Sequence, residues 1–203
     1  MGAVAASPLS GLPVRKGTEM KYATILADPP WPFKTYVGDK VPARSKKQPY
    51  ETMAFKDIAN LPIQDIAADD CALFCWVTWP TMHDALHTVQ KWGFTYKTAG
   101  FVWVKTTKID PHKPSMGLGY WTRSNSEPCL LFTRGNPKRR ETGKSVLQPI
   151  IEPRRVHSQK PAEARRRIMQ LVEGPYVELF ARESSPGWDQ AFSNQGTLLD
   201  CAV

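Results

Sequence analysis

The chain has 203 residues, of which 41% are hydrophobic and 23% charged, a composition typical of a globular protein. This length allows one substantial domain and leaves little room for a second. The net charge of +8 favours a polyanionic partner such as nucleic acid, although such a charge also serves solubility. No run of 18 apolar residues occurs, and the first 13 residues lack the pattern of a signal peptide. We therefore expect a cytoplasmic protein without a membrane span.

The first half of the chain predicts strands and helices in alternation. Residues 1–20 are rich in small and turn-forming residues, so we expect a flexible N-terminal arm. A strand is predicted over 22–27, and a helix over 55–67 that Pro62 breaks or restarts. The continuous apolar run of residues 72–77 is typical of a strand that is covered on both faces.

The second half continues the alternation. Thr81 and Asp84 have the spacing of an N-cap and its N3 acid, and the helix that they start ends at Gly93. Another helix opens with Pro161 at its first turn and stops before Gly174. Further strands are predicted over 100–104, 128–133 and 176–181. This pattern favours an α/β fold, with a mostly parallel sheet and helices on both faces, in a single domain of residues 21–203.

Cysteine and histidine spacing gives little support for a disulfide or a metal site. The four cysteines are Cys71, Cys75, Cys129 and Cys201, and none forms a C-x-x-C pair. Their apolar surroundings lead us to interpret them as reduced, buried thiols of a cytosolic protein. His83 and His87 have the i, i+4 spacing that a metal can use, but the H-E-x-x-H pattern is missing, so we expect no metal.

Two long irregular stretches, 34–53 and 105–127, exceed ordinary connection lengths and are therefore candidates for a functional role. They contain aromatic and cationic side chains of the kind that grip nucleotides: Tyr36, Tyr50, Tyr120, Trp121 and Arg123. The alternative is that these stretches are surface loops docked onto the domain by their aromatic residues.

The tetrapeptide Asp28-Pro29-Pro30-Trp31 follows the first predicted strand, at the position where ligands bind in open α/β sheets. Asp28 can accept a hydrogen bond from an amine, and Trp31 can stack on a base. Proline nitrogens carry no hydrogen, so we expect the loop carbonyls to be rigid and free of local donors. This combination suits the binding of a planar exocyclic amine for methyl transfer. The alternative is a proline-rich turn in which Trp31 is a core aromatic.

Together with further segments in the same order, the tetrapeptide resembles the DPPW adenine-N6 methyltransferases of the MT-A-seventy type. The motif strand is matched by residues 22–31, the W-V-T strand end by 73–78, and the W-V-K-T segment by 102–106. Later family motifs are matched at 119–121, 127–131, 158–161, 178–182 and 194–196. The resemblance covers roughly residues 20–200, and the undivided loop 117–128 is more similar to the phage and bacterial branch.

The resemblance implies a permuted Rossmann-like methyltransferase with S-adenosylmethionine as its cofactor. It implies catalytic roles for Asp28, Pro29, Pro30 and Trp31, and cofactor-binding roles for Asp28, Lys160, Glu178, Phe180, Arg182, Asn194 and Gln195. Lys160 and Asp28 would pair with the methionine carboxylate and ammonium, and Glu178 would accept from the ribose hydroxyls. Taken singly and without the resemblance, Glu178 and Arg182 are better explained as members of surface ion pairs. The chain departs from the eukaryotic enzyme at Gln159, Ser184 and Ser185, and the residue that recognises the cofactor adenine has no clear counterpart.

The implied reaction is methyl transfer to the N6 amine of adenine in nucleic acid, with DNA favoured by the phage or bacterial character. Asp28 and the Pro29 carbonyl would accept the two N–H bonds of the amine, which frees its lone pair to attack the sulfonium methyl. The predicted substrate-binding residues are Trp31, Tyr36, Trp121, Arg123, Lys138, Arg139 and Arg140.

The last three of these residues are expected to form a phosphate-binding rim beside the flipped base, unless the segment serves only solubility. Lys46 and Lys47 are the alternative rim. Two rival hypotheses for the whole chain are the same chemistry on RNA and a non-catalytic nucleic-acid-binding subunit. A homodimer or a partner subunit would suit a chain too short for a separate recognition domain.

Overall fold

Seven strands form one sheet in the computed structural model, which describes residues 20–32, 52–117, 119, 121–155 and 159–192. The strands are β1 Tyr22–Ala27, β2 Ala67–Trp76, β3 Thr95–Thr106, β4 Ser126–Arg134, β5 Pro149–Pro153, β6 Tyr176–Leu179 and β7 Trp188–Ala191. The α-helices are α1 Phe55–Ala59, α2 Met82–Lys91 and α3 Ala162–Leu171, and 3-10 turns lie at Ile63–Asp65, Trp79–Thr81 and Glu141–Ser145. Some predictions fall outside the described residues: the arm 1–19, Tyr36, Lys46, Lys47, Tyr50, Tyr120, Asn194, Gln195 and Cys201.

The order of the strands in the sheet is β5-β3-β4-β2-β1-β6-β7. Among the described strands, β4 alone runs antiparallel to its neighbours, β2 and β3, and the other pairs are parallel. The prediction of a mostly parallel sheet is therefore confirmed. Six strands end at one edge of the sheet, which we name the carboxyl edge, and β4 begins there. The loops after β1, β2, β3 and β6 consequently meet at this edge, where open α/β sheets bind ligands.

Helices cover both faces of the sheet, as predicted. Successive residues of β1 point to opposite faces, so Ile25 belongs to one apolar core and Leu26 to the other. The first core also contains Ile58 of α1 and Val89 of α2, whereas the second contains Ile168 of α3. Because β1 and β2 are covered on both faces, their apolar runs are continuous. No helix within the described ranges is long and apolar enough to span a bilayer.

The helix ends follow the local sequence signals, apart from one cap. Pro62 separates α1 from the following 3-10 turn, and Gly93 follows α2 with a φ of +83°, a conformation that favours glycine. Thr81 is the N-cap residue of α2, as predicted, but its side chain makes no capping hydrogen bond to the helix. The Thr81 hydroxyl instead lies 2.9 Å from the Thr78 hydroxyl and donates to the Thr78 carbonyl at 3.1 Å. Thr81 thus stabilises the 3-10 turn that precedes the helix.

The described cysteines form no disulfide. Cys71, Cys75 and Cys129 are buried free thiols, as interpreted from the sequence. Burial raises the pKa of Cys71 to about 12 and also raises the pKa values of Cys75 and Cys129, so all three stay protonated at neutral pH. Across the described part of the chain, no group of three or more His, Cys, Asp or Glu side chains could hold a metal ion.

Candidate active site

Backbone hydrogen bonds hold the loop after β1 at the carboxyl edge. The Asp28 N–H donates to the last carbonyl of β6 at 3.4 Å, so the loop begins against the end of the neighbouring strand. The Trp31 N–H donates to the Pro29 carbonyl at 2.8 Å, and the Met53 N–H donates to the Pro30 carbonyl at 2.9 Å. The expectation that these carbonyls are free of local donors is therefore wrong. Each carbonyl oxygen still keeps a second lone pair for a ligand.

Trp31 anchors this loop in the core. Its Nε1–H donates to the Trp76 carbonyl at the end of β2, at 2.8 Å, and its ring centre lies 5.8 Å from that of Phe55. Trp31 is only 5% exposed, so its packing role is observed, whereas base stacking on its ring stays a prediction. Leaving a buried donor or acceptor without its partner costs about 1–3 kcal/mol, and this bond therefore ties the loop to β2.

An ion pair that is largely shielded from water joins Asp28 to Lys160. The Lys160 ammonium donates to both Asp28 carboxylate oxygens, at 2.7 and 2.8 Å. Lys160 reaches the site from the residue before Pro161, the N-cap of α3, and the Lys160 and Asp28 side chains are 13% and 19% exposed. The ammonium also lies 5.8 Å from the centre of the Trp76 ring, within the range of a cation–π contact. Two residues that lie 132 positions apart in the sequence thus meet at the carboxyl edge.

Glu127 and Lys105 extend this pair into a row of alternating charges, Asp28–Lys160–Glu127–Lys105. One oxygen of Glu127, at the start of β4, lies 3.6 Å from the Lys160 ammonium. Lys105, near the end of β3, donates to the other oxygen of Glu127. The row lies on the carboxyl edge because the antiparallel β4 starts where β2 and β3 end. Sequence reasoning missed Glu127 and Lys105 as site residues. The available signal was a charged residue next to an apolar strand, before it at Glu127 and after it at Lys105.

The two carboxylates of the row differ in basicity. Burial raises the pKa of Asp28, and the nearby Lys160 opposes this shift only in part. Burial also acts to raise the pKa of Glu127, but Lys160 and Lys105 together hold that pKa below its ordinary value. Glu127 therefore stays ionised over a wide pH range, whereas Asp28 is the better proton acceptor. Lys160 lies between the two acids and screens their repulsion.

A second ion pair holds Glu178 of β6. The Arg165 Nη1 group on α3 donates to both Glu178 oxygens, at 3.0 and 3.2 Å, and the Arg165 and Glu178 side chains are 13% and 10% exposed. Burial raises the pKa of Glu178, and Arg165 opposes this shift. Arg165 also donates to Glu183 at 2.9 Å, and Gln159 donates to the same carboxylate at 2.8 Å. Sequence reasoning missed Arg165 because it stands in a run of three arginines that looks solvent-exposed.

The turn after β6 brings Phe180 and Arg182 to the carboxyl edge. Phe180 is a buried residue with a φ of +62°, and its N–H donates to the Ala191 carbonyl at 3.0 Å. A left-handed backbone is uncommon for a bulky side chain and marks a strained turn. Arg182 is exposed, and its positive charge opposes the rise that burial causes in the pKa of Asp28, which places Arg182 near the row. Contact of either residue with a cofactor stays a prediction.

The predicted substrate-binding residues fall at opposite edges of the sheet. Trp121 and Arg123 are exposed in the connection between β3 and β4, which leaves the carboxyl edge and returns to it. Lys138, Arg139 and Arg140 follow the end of β4 at the other edge. β4 has nine residues, so at ~3.4 Å per residue its two ends lie roughly 27 Å apart. The expected rim of these three residues beside the reacting base is therefore wrong.

Contacts within the protein hold the Arg140 side chain. Its Nη1 group donates to the Met169 carbonyl at 3.2 Å, and its Nη2 group pairs with Glu173. These contacts fix Arg140 against the end of α3. Lys138 and Arg139 are exposed, and a contact of these two residues with nucleic acid away from the row stays a prediction.

Comparison with known proteins indicates one family. Residues 22–191 match the MT-A70 family. Over 184 residues the chain is 33% identical to the type II methyltransferase M.MunI of a Mycoplasma species, covering 83% of this chain and 76% of the relative. Over 190 residues it is 30% identical to human METTL4, named an N(6)-adenine-specific methyltransferase, covering 82% of this chain and 36% of the relative. Over 126 residues it is 33% identical to MTB of Arabidopsis thaliana, named a non-catalytic subunit of an N6-adenosine-methyltransferase, covering 61% of this chain and 15% of the relative.

Proposed function

The chain belongs to the MT-A70 family, and on this basis we propose that it transfers a methyl group from S-adenosylmethionine to the N6 amine of adenine in nucleic acid. The observation that carries the proposal is the row Asp28–Lys160–Glu127–Lys105 at the carboxyl edge. The relatives M.MunI and METTL4 are named as methyltransferases, and METTL4 is named for N(6)-adenine. Family membership and site chemistry therefore support the same reaction.

The side chains at the carboxyl edge fit a cofactor that combines an amino acid with a ribose. Asp28 would hold the ammonium and Lys160 the carboxylate, so two pairs with the cofactor replace their mutual pair. Glu178, held by Arg165, keeps lone pairs that accept the ribose hydroxyls. The remaining proposed contacts come from Phe180, Arg182, Asn194 and Gln195. The bound cofactor supplies an electrophilic sulfonium methyl.

Asp28 and the Pro29 carbonyl hold the adenine amine in the proposed mechanism. An exocyclic amine is a weak nucleophile because its lone pair is conjugated with the ring. Two acceptors on its N–H bonds turn the nitrogen towards tetrahedral geometry and direct the lone pair at the methyl group. One Asp28 oxygen faces the amine, and its raised pKa suits it to take the proton that the amine releases. Glu127, kept ionised by two lysines, holds Lys160 in place.

We propose DNA as the nucleic acid and the cytoplasm of a prokaryotic or phage-infected cell as the location. M.MunI, which is covered over 76% of its length, is a bacterial type II methyltransferase. The resemblance of the undivided loop 117–128 to the phage and bacterial branch supports the same substrate. RNA is the alternative substrate, because MTB is named for N6-adenosine. A non-catalytic role, as in the name of MTB, is disfavoured by the intact Asp28 and its pairing with Lys160.

Methyl transfer is tested with labelled S-adenosylmethionine and matched DNA and RNA oligonucleotides, each single- and double-stranded. We expect the label in N6-methyladenine after digestion to nucleosides, with a higher yield from DNA than from RNA. Label in RNA alone would identify RNA, and not DNA, as the substrate. Label in a different base, or in none of the four substrates, would contradict the proposed reaction.

A further inference from the structure

Two turns project from the carboxyl edge beside the row of charges. The first, which we name finger one, comprises residues 107–114 directly after β3. The Thr107 N–H donates to the Lys113 carbonyl at 2.9 Å, which closes the turn. Inside it, the Thr107 hydroxyl donates to the Asp110 carbonyl at 2.9 Å and accepts the Asp110 N–H at 3.0 Å. These bonds fix finger one, and its tip residue Ile109 is 98% exposed.

The second turn, finger two, comprises the described residues of 117–124, shortly before β4. The Gly117 N–H donates to the Ser124 carbonyl at 2.9 Å. The backbone is so close across this turn that a β-carbon on Gly117 would lie 2.5 Å from the Ser124 oxygen, and one on Gly119 would lie 2.0 Å from a backbone oxygen. Glycine at both positions is therefore a requirement of the turn. Trp121, near its tip, is 100% exposed.

The exposed apolar side chains of this edge need a physical reason. Large apolar side chains that are exposed close together mark binding surfaces. Besides Ile109 and Trp121, Met116 between the fingers is 78% exposed, and Trp79 after β2 is 48% exposed. All four belong to loops that leave the carboxyl edge, where Asp28 lies. The loops around the candidate active site therefore offer exposed apolar side chains to a bound partner.

Cations flank the apolar tips. Lys108, Lys113 and Arg123 are exposed in the two fingers. The acid of finger one, Asp110, accepts the His112 N–H within the turn at 2.8 Å. The fingers thus present apolar tips within a positive rim. A nucleic-acid duplex is the complement of this surface, because its phosphates lie outside and its stacked bases lie inside.

We propose that the two fingers grip duplex DNA on both sides of the target adenine. Ile109 and Trp121 enter the base stack and fill the space that the adenine leaves when it turns out towards Asp28, while the three cations contact phosphates. Apolar wedges of this kind offset the loss of stacking, and an adenine amine inside a duplex must be extruded before an enzyme can reach it. The inference rests on the proposed function and adds how the target base becomes accessible.

The wedges are tested with Ile109→Ala/Trp121→Ala, compared with wild type on duplex and single-stranded DNA of the same sequence. We expect the specificity constant kcat/KM to fall roughly 5- to 100-fold on the duplex, which is the range for losing a side chain that stacks on a base. The rate on the single strand, in which the adenine is already unpaired, should fall much less than the rate on the duplex. Leu147→Ala is the matched control, because Leu147 is 69% exposed on the connection before β5, and it should behave as wild type on both substrates.

Base extrusion gives a readout that needs no methylation. The target adenine is replaced by 2-aminopurine, whose fluorescence rises when it leaves the stack. Wild type should increase the fluorescence of the duplex, and the double variant should not. An equal loss of rate on duplex and single strand would overturn the proposal, as would an undiminished fluorescence rise in the double variant. An altered oligomeric state of the variant would make the fingers a protein contact and also overturn it.

The phosphate contacts are tested with the triple variant Lys108→Gln/Lys113→Gln/Arg123→Gln. Each lost contact lowers the slope of log affinity against log salt by about 0.9 on duplex DNA, so three contacts predict a change of about 2.7. Lys91→Gln/Lys97→Gln removes exposed charges at the opposite edge and should leave the slope unchanged. An unchanged slope in the triple variant, or an equal change in the control, would overturn the proposal. Binding needs no methyl transfer, so failure of the proposed reaction is distinguished from failure of the fingers.

Discussion

Replacing Arg165 by methionine should destabilise the fold, because Arg165 neutralises the buried Glu178. Its Nη1 group lies 3.0 and 3.2 Å from the Glu178 oxygens, and the Arg165 and Glu178 side chains are 13% and 10% exposed. Methionine keeps much of the apolar packing and removes only the charge and its donors. Breaking a buried ion pair from one side costs about 3–5 kcal/mol. Both groups keep some contact with water and Glu178 can take up a proton, so we expect about 2–3 kcal/mol at neutral pH.

The destabilisation should depend on pH through the pKa of Glu178. Burial and the nearby acids Asp28 and Glu183 raise this pKa, and Arg165 opposes the shift. Because Arg165→Met removes this opposition, the pKa of Glu178 rises further in the variant. A carboxyl group with a raised folded-state pKa favours the protonated form. The variant therefore loses little stability below the unfolded-state pKa of Glu178, and the loss grows as the pH rises through the folded-state pKa. It should be small near pH ~4 and larger at neutral pH.

Urea unfolding of wild type and variant between pH ~4 and pH ~8 measures this difference. Arg166→Met is the control, because Arg166 is 58% exposed and its pair with Glu163 lies at the surface of α3, so its loss should matter little at any pH. The double variant Arg165→Met/Glu178→Gln should recover most of the stability, since a neutral amide needs no counter-ion. A loss that does not vary with pH, or a double variant no more stable than the single one, would refute the reasoning.

Three further changes test the site. Trp31→Phe removes the bond to the Trp76 carbonyl and should lower the free energy of unfolding by about 1–3 kcal/mol, and an unchanged value would mean that this bond does not hold the loop. Methyl transfer should decline as the pH falls through the raised pKa of Asp28. Glu127→Gln removes a negative charge near Asp28 and should therefore shift this decline to lower pH. An unshifted pH–rate profile would contradict the electrostatic coupling of Glu127 to Asp28. Glu178→Gln should weaken S-adenosylmethionine binding by about 1–3 kcal/mol in calorimetry without altering nucleic-acid affinity, and equal cofactor affinity would place the ribose elsewhere.

The central strands can be predicted from the sequence, and the strands at the sheet edges cannot. β1 and β2 are buried on both faces and therefore have continuous apolar runs, a pattern that indicates a central strand. β5 has proline at both ends and two exposed positions, and β7 is four residues long with two polar residues at its centre. Proline is tolerated in a strand at the edge of a sheet, so the same residues that indicate a loop also fit β5. Their place in the sheet is decided by neighbours that are distant in sequence.

Some residues of the candidate site can likewise be predicted from the sequence, and others cannot. The tetrapeptide, Lys160 and Glu178 can be located from the resemblance of their motifs. The pairs Lys105–Glu127 and Arg165–Glu178 join residues 22 and 13 positions apart, and they meet only because of the strand directions and the packing of α3 on the sheet. The error over Lys138–Arg140 has the same origin. The direction of β4 decides which edge the following segment reaches, and composition carries no information about that direction.

The most direct test of the central claim is the yield of N6-methyladenine from nucleic acid treated with wild type and with Asp28→Asn, measured by mass spectrometry of the nucleosides. Asparagine keeps the size of the side chain but neither balances Lys160 nor takes up the proton of the amine. Circular dichroism establishes that the variant is folded. We predict N6-methyladenine from the wild type and none above background from Asp28→Asn. A wild-type yield from the folded variant, or no N6-methyladenine from the wild type on either DNA or RNA, would contradict the central claim.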